Sequence, residues 1–243
     1  MVKLVVAYDG TDFRGFAAQP GQRTVAGDLC AALEQILRQP VELTCAGRTD
    51  AGVHAWGQVV SFDAPDGSDP GRMQDSLNAM LGPEIVVRTA DWAPGDFDAR
   101  FSATWRCYRY TVLNRAVPDP FRARTAWWIE QPLDIRRLML GADVFIGGHD
   151  FASFCRRGPD GSTTTRRVLD SRWIDDGDGI LRYEIRATAF CWQMARSIVG
   201  TLVEVGSGKR TPGELTGVLR ARDRACAGQL APAHGLCLWE VGY

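Results

Sequence analysis

The chain has 243 residues, enough for one large domain or two small ones around a sizeable core. Hydrophobic residues make up 45% and charged residues 23%, the ordinary globular mixture, and no apolar run is long enough to span a bilayer. A formal net charge of −1 argues against a dedicated nucleic-acid binder on charge alone, although a neutral total can hide a basic face.

The opening "MVKLVVAYDG" is too short in its apolar part for a signal peptide, so a cytoplasmic protein is expected, with "KLVVAY" as a first strand ending at the turn "DGTD". Thr24 is placed to cap a helix, "VAGDLCAALEQILRQ", in which Leu29, Leu33 and Leu37 share one face and which Pro40 stops. Strands "VELTC" and "GQVVSFDA" flank a polar loop. The polar "PDGSDPG" leads to a helix, "RMQDSLNAML", and a strand, "EIVVRTADW".

A second half opens with the strand "ATWRCYRYTVLN". "DIRRLMLGADVFIG" reads as a helix, and "RRVLDSRWI" and "LRYEIRATAF" as paired strands around an acidic turn. "CWQMARSIVGTLVEVG" is a strong helix, "PGELTGVLRAR" a weaker one, and "LCLWEVGY" a closing strand. Hairpin-like steps rather than strict βαβ alternation favour the α+β class, with halves over 1–102 and 103–243.

Seven cysteines at scattered spacings, without a CxxC, suggest neither a disulfide framework nor a zinc site. The three histidines, His54, His149 and His234, are far apart in sequence, so no metal is expected. Neither GxGxxG nor GxxxxGK[ST] occurs, so no nucleotide cofactor is advertised. The basic residues are nearly all arginine. Arg100, Arg106, Arg109, Arg115, Arg122 and Arg124 form one group, and Arg156, Arg157, Arg166, Arg167 and Arg172 another. On charge alone a scatter of solvated arginines is the plainer reading.

Three places can carry chemistry. In "CAGRTDAGVH", residues 45–54, Asp50 sits in a glycine-containing loop between strands, where a carboxylate can serve as nucleophile or base. An isolated Asp50-Ala51-Gly52 would be read as a turn. Arg48 shifts the balance, since its guanidinium can grip a phosphate or a displaced base. In the helix over 191–206, apolar residues run nearly all round and Arg196 has no local acidic partner. It therefore needs a carboxylate from elsewhere in the chain, or an opening to water along its stem. In "WRCYRY", Arg106, Tyr108 and Tyr110 share one strand face, as a base-stacking platform would require; half-buried core tyrosines are the commoner case.

Taken together, "YDGTDFRGF", "TVAGDL", "CAGRTDAGVHAWGQVVSF", "FDARFSAT", "YRYTVLN", "HDFASF", "MARSIVGTLVEVG" and "GLCLWEV" resemble, in order and spacing, the bacterial tRNA pseudouridine synthase A family over essentially the whole chain. The resemblance implies two similar α+β halves, with a mixed, mainly antiparallel sheet, flanking helices and an RNA-binding cleft between them, acting as a homodimer on tRNA. It implies that Asp50 is the nucleophile and that Arg196 is the basic residue paired with it. Tyr108 would stack on the target uracil, Arg48 would take the place of the flipped nucleotide, and Leu238 would lie against the site. The substrates implied are uridines of the anticodon stem-loop, at the conventional tRNA positions 38, 39 and 40. Asp50 would act either at the pyrimidine ring or at the sugar. Isomerising uridine to pseudouridine consumes no electrons, metal or nucleotide, in keeping with the missing motifs.

Two departures stand out. Gly15 is followed by Phe16-Ala17-Ala18 before Gln19, where the family has a Trp-Gln pair, and Trp192-Gln193 replaces a His pair. Both bear on RNA docking rather than on the reaction. Two other classes fit the residues less well. An aspartate-dependent phosphohydrolase would need its nucleophilic Asp where this chain has Ala7. A non-catalytic RNA-binding module would use the arginines and Tyr108 but not an Asp50–Arg196 pair.

Overall fold

The structure is a computed structural model that describes residues 1–156 and 163–243, so Arg157 of the second arginine group lies outside the described residues. In chain order the elements begin β1 (Val2–Tyr8), α1 (Val25–Leu37), β2 (Thr44–Cys45), β3 (His54–Phe62), α2 (Pro70–Leu81) and β4 (Ile85–Trp92). They continue β5 (Trp105–Asn114), β6 (Trp127–Ile129), α3 (Ile135–Asp143), β7 (Gly147–Asp150), β8 (Thr165–Asp175) and β9 (Ile180–Ala187). Helices α4 (Met194–Gly206) and α5 (Glu214–Ala221) and strand β10 (Leu236–Gly242) follow. The architecture is α+β with mixed, mainly antiparallel strand pairing and helices, as expected. Among the described residues no helix is long and apolar enough to cross a membrane.

Two compact units form: Met1–Thr104 together with Cys237–Tyr243, and Trp105–Leu236. In the first, the strand order is β4-β1-β3-β10, with β2 added on β3. Strand β1 runs antiparallel to β3 and β4, whereas β10 joins β3 in parallel, with Cys237 opposite His54 and Leu238 opposite Ala55. Alternation along β1 buries Val2, Leu4 and Val6, and their β3 partners Phe62, Val60 and Gln58 share that face. Helix α1 starts where Thr24 Oγ1 accepts the Gly27 N–H, and α2 where Asp69 accepts from Gly71 and Arg72. The buried Leu29 and Leu33 of α1 and Met73 and Leu77 of α2 complete the core.

The second unit orders its strands β5-β9-β8-β7, all antiparallel, with the short β6 parallel to β5. Helix α3, capped by Asp134, packs on α4 and β8. Tyr110, Tyr183, Phe145, Phe151 and Phe154 fill its interior.

The structure differs from the sequence expectations at several ends. Of "VELTC" only Thr44 and Cys45 pair, and β3 begins earlier than expected, at His54. Strands β6 and β7 were not anticipated. The helix expected to run to residue 147 stops at Asp143, short of Gly147, whose φ of 109° is incompatible with a helix. Helix α4 starts at Met194 rather than at 191, because Gln193 is left-handed (φ 63°), and Trp192, expected to line the helix, is 52% exposed.

Several arginines are engaged within their own unit. Arg115 pairs with Asp178 and Arg122 with Asp119, while Arg166 donates to the carbonyls of Thr163 and Thr165. Arg109 and Arg172 both close on Glu184, whose side chain is only 7% exposed, at 2.6 Å to opposite carboxylate oxygens, with Arg182 at 3.5 Å. Burial pushes the Glu184 carboxyl up, but the Arg172 hydrogen bond and the charges of Arg109, Arg172 and Arg182 outweigh it and hold it below the usual value of 4.5. A depressed folded-state pKa contributes stability that is complete above 4.5 and is lost as pH falls through the lower folded value. Glu184→Gln is therefore expected to cost about 1–3 kcal/mol at pH 7, at the modest end because Arg172 is half-exposed. The gap from wild type should narrow in urea titrations run below about pH 4. A gap that is equal at both pH values would mean the carboxylate charge is not the source.

Candidate active site

Asp50 and Arg48, singled out in the first unit, lie on one braced loop. Strand β2 is prolonged by the Ala46 N–H bonding to the Val59 carbonyl, after which the chain leaves the sheet. Beneath it, the buried Gln58 donates from Nε2 to the Gly47 carbonyl at 2.6 Å. Next along, Thr49 is buried and its Oγ1 lies 2.7 Å from the Tyr8 hydroxyl at the end of β1. The Phe16 N–H donates to the Thr49 carbonyl at 3.0 Å, and Val53 N–H returns to the Asp50 carbonyl at 3.1 Å. Gly52, at φ 77°, makes that turn possible.

Gly15 fixes the loop from the other side. Its φ is 96°, and an added Cβ would come within 2.9 Å of the Thr49 carbonyl oxygen and 3.4 Å of the Asp50 carbonyl carbon. Only a residue without a side chain lets the two backbones lie this close. The outcome is a peptide held through Gly47, Thr49 and Val53 that presents Asp50 half-buried and Arg48 exposed. Burial pushes the Cys45 thiol up while the charges of Arg48 and Arg100 pull it partly back, so both cations stand near the end of β2. Leu238, fully buried in β10, pairs beside His54, the first residue after this loop; His54 Nδ1 in turn accepts the Gly10 N–H at 3.0 Å.

Tyr108 and Arg196 belong to the second unit. Tyr108 is buried in β5 and meets Phe190 edge-on, with ring centroids 4.8 Å apart and planes at 79°. Arg106, on the same strand face, donates to the Thr188 carbonyl, and Tyr110 is wholly buried with its hydroxyl donating to the Pro232 carbonyl at 2.8 Å. The stacking-platform expectation holds three residues of one face, and only Tyr108 among them is a candidate in the resemblance.

Arg196 is half-buried, and its seat is built by the segment that follows α5. The Arg196 carbonyl accepts the Ala231 N–H at 3.2 Å, and its Nε donates to the Ala231 carbonyl at 2.8 Å. Burial pushes the Tyr110 phenol well above its usual range, and the Arg196 charge pulls it partly back, so the guanidinium stands near that ring. Gly228 N–H bonds to Thr201 Oγ1, and a Cβ added at Gly200 would overlap the Gln229 carbonyl oxygen.

Sequence reasoning did not single out Tyr8, Gly15, Gln58 or Gly200 as supports. Gln58 carried a signal: it breaks the apolar alternation on a core face, and a buried amide there must be hydrogen-bonded.

The chain matches the family model described as tRNA pseudouridine synthase over residues 4–102 and 142–243. It is 44% identical to the tRNA pseudouridine synthase A of Leifsonia xyli, covering 99% of this chain and 91% of that one. It is 43% identical to the tRNA pseudouridine synthase A of Brevibacillus brevis, covering 100% and 99%, and 43% identical to that of Cutibacterium acnes, covering 99% and 88%.

Gly200→Ala is expected to lower stability by about 1–3 kcal/mol, because α4 and the 229–231 segment must move apart. Gly213→Ala, where an added Cβ meets nothing within 4 Å, should stay within about 1 kcal/mol of wild type. Urea midpoints at constant m-value check both.

Proposed function

This chain belongs to the tRNA pseudouridine synthase family, and we propose that it isomerises uridine to pseudouridine in the anticodon stem-loop of tRNA, at positions 38, 39 and 40. The bond from the ribose C1′ to N1 breaks, the base turns, C1′ rejoins through C5, the C5 hydrogen leaves to water as a proton, and N1 takes up a proton from water. The observation that carries this reading is the Asp50 loop, whose backbone is fixed on both sides while Asp50 itself is only half-buried. A nucleophile needs that combination of fixed position and access.

The remaining roles come from the family resemblance and are supported by local geometry. Arg196 takes the part of the basic residue that the family pairs with the aspartate, and its Nε anchored on Ala231 limits where its head can go. Tyr108, its ring plane set by Phe190, stacks on the target base. Arg48, exposed, fills the space the base leaves, which offsets part of the few kcal/mol that extrusion costs. Leu238 provides an apolar wall. We further propose that the enzyme acts without metal or nucleotide, as a homodimer in the cytoplasm, the dimer being checked by sedimentation.

Purified protein is expected to release tritium from tRNA labelled at uracil C5 in the presence of a chelator. Asp50→Asn and Asp50→Ala should abolish release while keeping tRNA binding, and normal turnover by Asp50→Ala would sink the mechanism. Tyr108→Phe should retain most activity and Tyr108→Ala much less, since base–aromatic stacking is worth about 1–3 kcal/mol. Arg196→Ala should lose stability and turnover together. Binding should weaken steeply between 50 and 200 mM salt if phosphate contacts dominate.

A further inference from the structure

Two cysteines that the proposed reaction does not use lie together in the second unit. Cys155 follows the 3₁₀ turn Ala152–Phe154, and Cys191 precedes α4 by three residues. The Arg156 N–H bonds to the Trp192 carbonyl at 3.0 Å, which ties the two segments side by side one residue beyond each cysteine. Both cysteines are free, and their side chains lie close enough for each to shift the titration of the other. Cys155 is buried; Cys191 is partly accessible and also reaches the Thr164 carbonyl at 3.7 Å.

We propose that Cys155 and Cys191 are a redox-active dithiol, a site that a peroxide converts to an intramolecular disulfide, with Cys191 as the attacking sulfur.

The surroundings separate the two sulfurs. The interaction between the two side chains pushes the Cys155 thiol up and the Cys191 thiol down. Arg166 favours the thiolate at both, against the weaker opposing charge of Asp150. The Nε of Arg166 is buried with no hydrogen-bond acceptor among the described residues. A donor left in that state gains most from a neighbouring anion.

The Cys191 thiolate attacks one peroxide oxygen; an S–O bond forms, the O–O bond breaks, and hydroxide leaves as water after taking a proton. Cys155 sulfur then attacks the sulfenic sulfur. The S–S bond forms, S–O breaks, and the departing hydroxide takes the Cys155 proton as a second water. Two thiols lose two electrons in all, and the peroxide oxygens gain them. The disulfide brings the two sulfurs of these adjoining segments, already tied by the Arg156–Trp192 backbone bond, to a separation of about 2.05 Å.

The test treats the reduced full chain with hydrogen peroxide, blocks remaining thiols by alkylation, and reads intact mass and peptides. Loss of two hydrogens, a Cys155–Cys191 cross-linked peptide and reversal by a phosphine reductant are expected. In Cys155→Ser, Cys191 should stop at a sulfenic acid captured by a dione probe, whereas in Cys191→Ser residue 155 should stay a thiol. Wild-type protein in which both cysteines remain alkylatable, or in which Cys191 runs on to sulfinic acid without cross-linking, would overturn the proposal. A sulfenic acid on Cys155 in Cys191→Ser would reverse the assigned order and overturn it too.

Discussion

The close approach of the Gly15 backbone to the Thr49–Asp50 peptide is the constraint from which the placement of the Asp50 loop follows. A side chain at position 15 would push the loop away, and with it the Phe16–Thr49 hydrogen bond. Tyr8 and Gln58 then act from below, one on a side-chain hydroxyl and one on a carbonyl. Each contact is an ordinary hydrogen bond, worth about 1 kcal/mol net. Their joint effect is positional, since a carboxylate whose peptide cannot drift loses less entropy when it meets a substrate.

The second unit reaches a comparable end by different means. Residue 231 grips Arg196 twice, once through each backbone group, and the approach of α4 to that segment depends on the missing side chain at Gly200. Two bonds to the Ala231 backbone thus help to place the cation. Elsewhere in this unit positive charge is balanced locally: Glu184 holds Arg109 and Arg172, and Asp178 holds Arg115.

Much of the fold was legible because local rules and long-range packing agree. The Thr24 cap and the Leu29–Leu33 spacing define α1, and the alternation in β1 and β9 reads directly as strand. The misreadings share a cause. Strand β6 has only three residues and borrows its place from β5, so it has no pattern of its own. Residues 191–193 look helical in composition, yet the left-handed Gln193 breaks the run before α4. In the candidate site, Asp50 and Arg48 stood out by residue type and by resemblance. Tyr8, Gly15 and Gln58 did not, because their partners lie tens of residues away and nothing local announces the contact.

The parallel pairing of β10 with β3 makes the Asp50-bearing unit discontinuous: its edge strand is translated only after all of Trp105–Leu236. On the ribosome, residues 1–104 emerge early with His54 and Ala55 lacking the neighbour that Cys237 and Leu238 later supply. The Asp50 loop is thus tied to a sheet that stays unfinished until residues 237 and 238 are made, and a nascent chain stalled before residue 237 would hold that loop without this support.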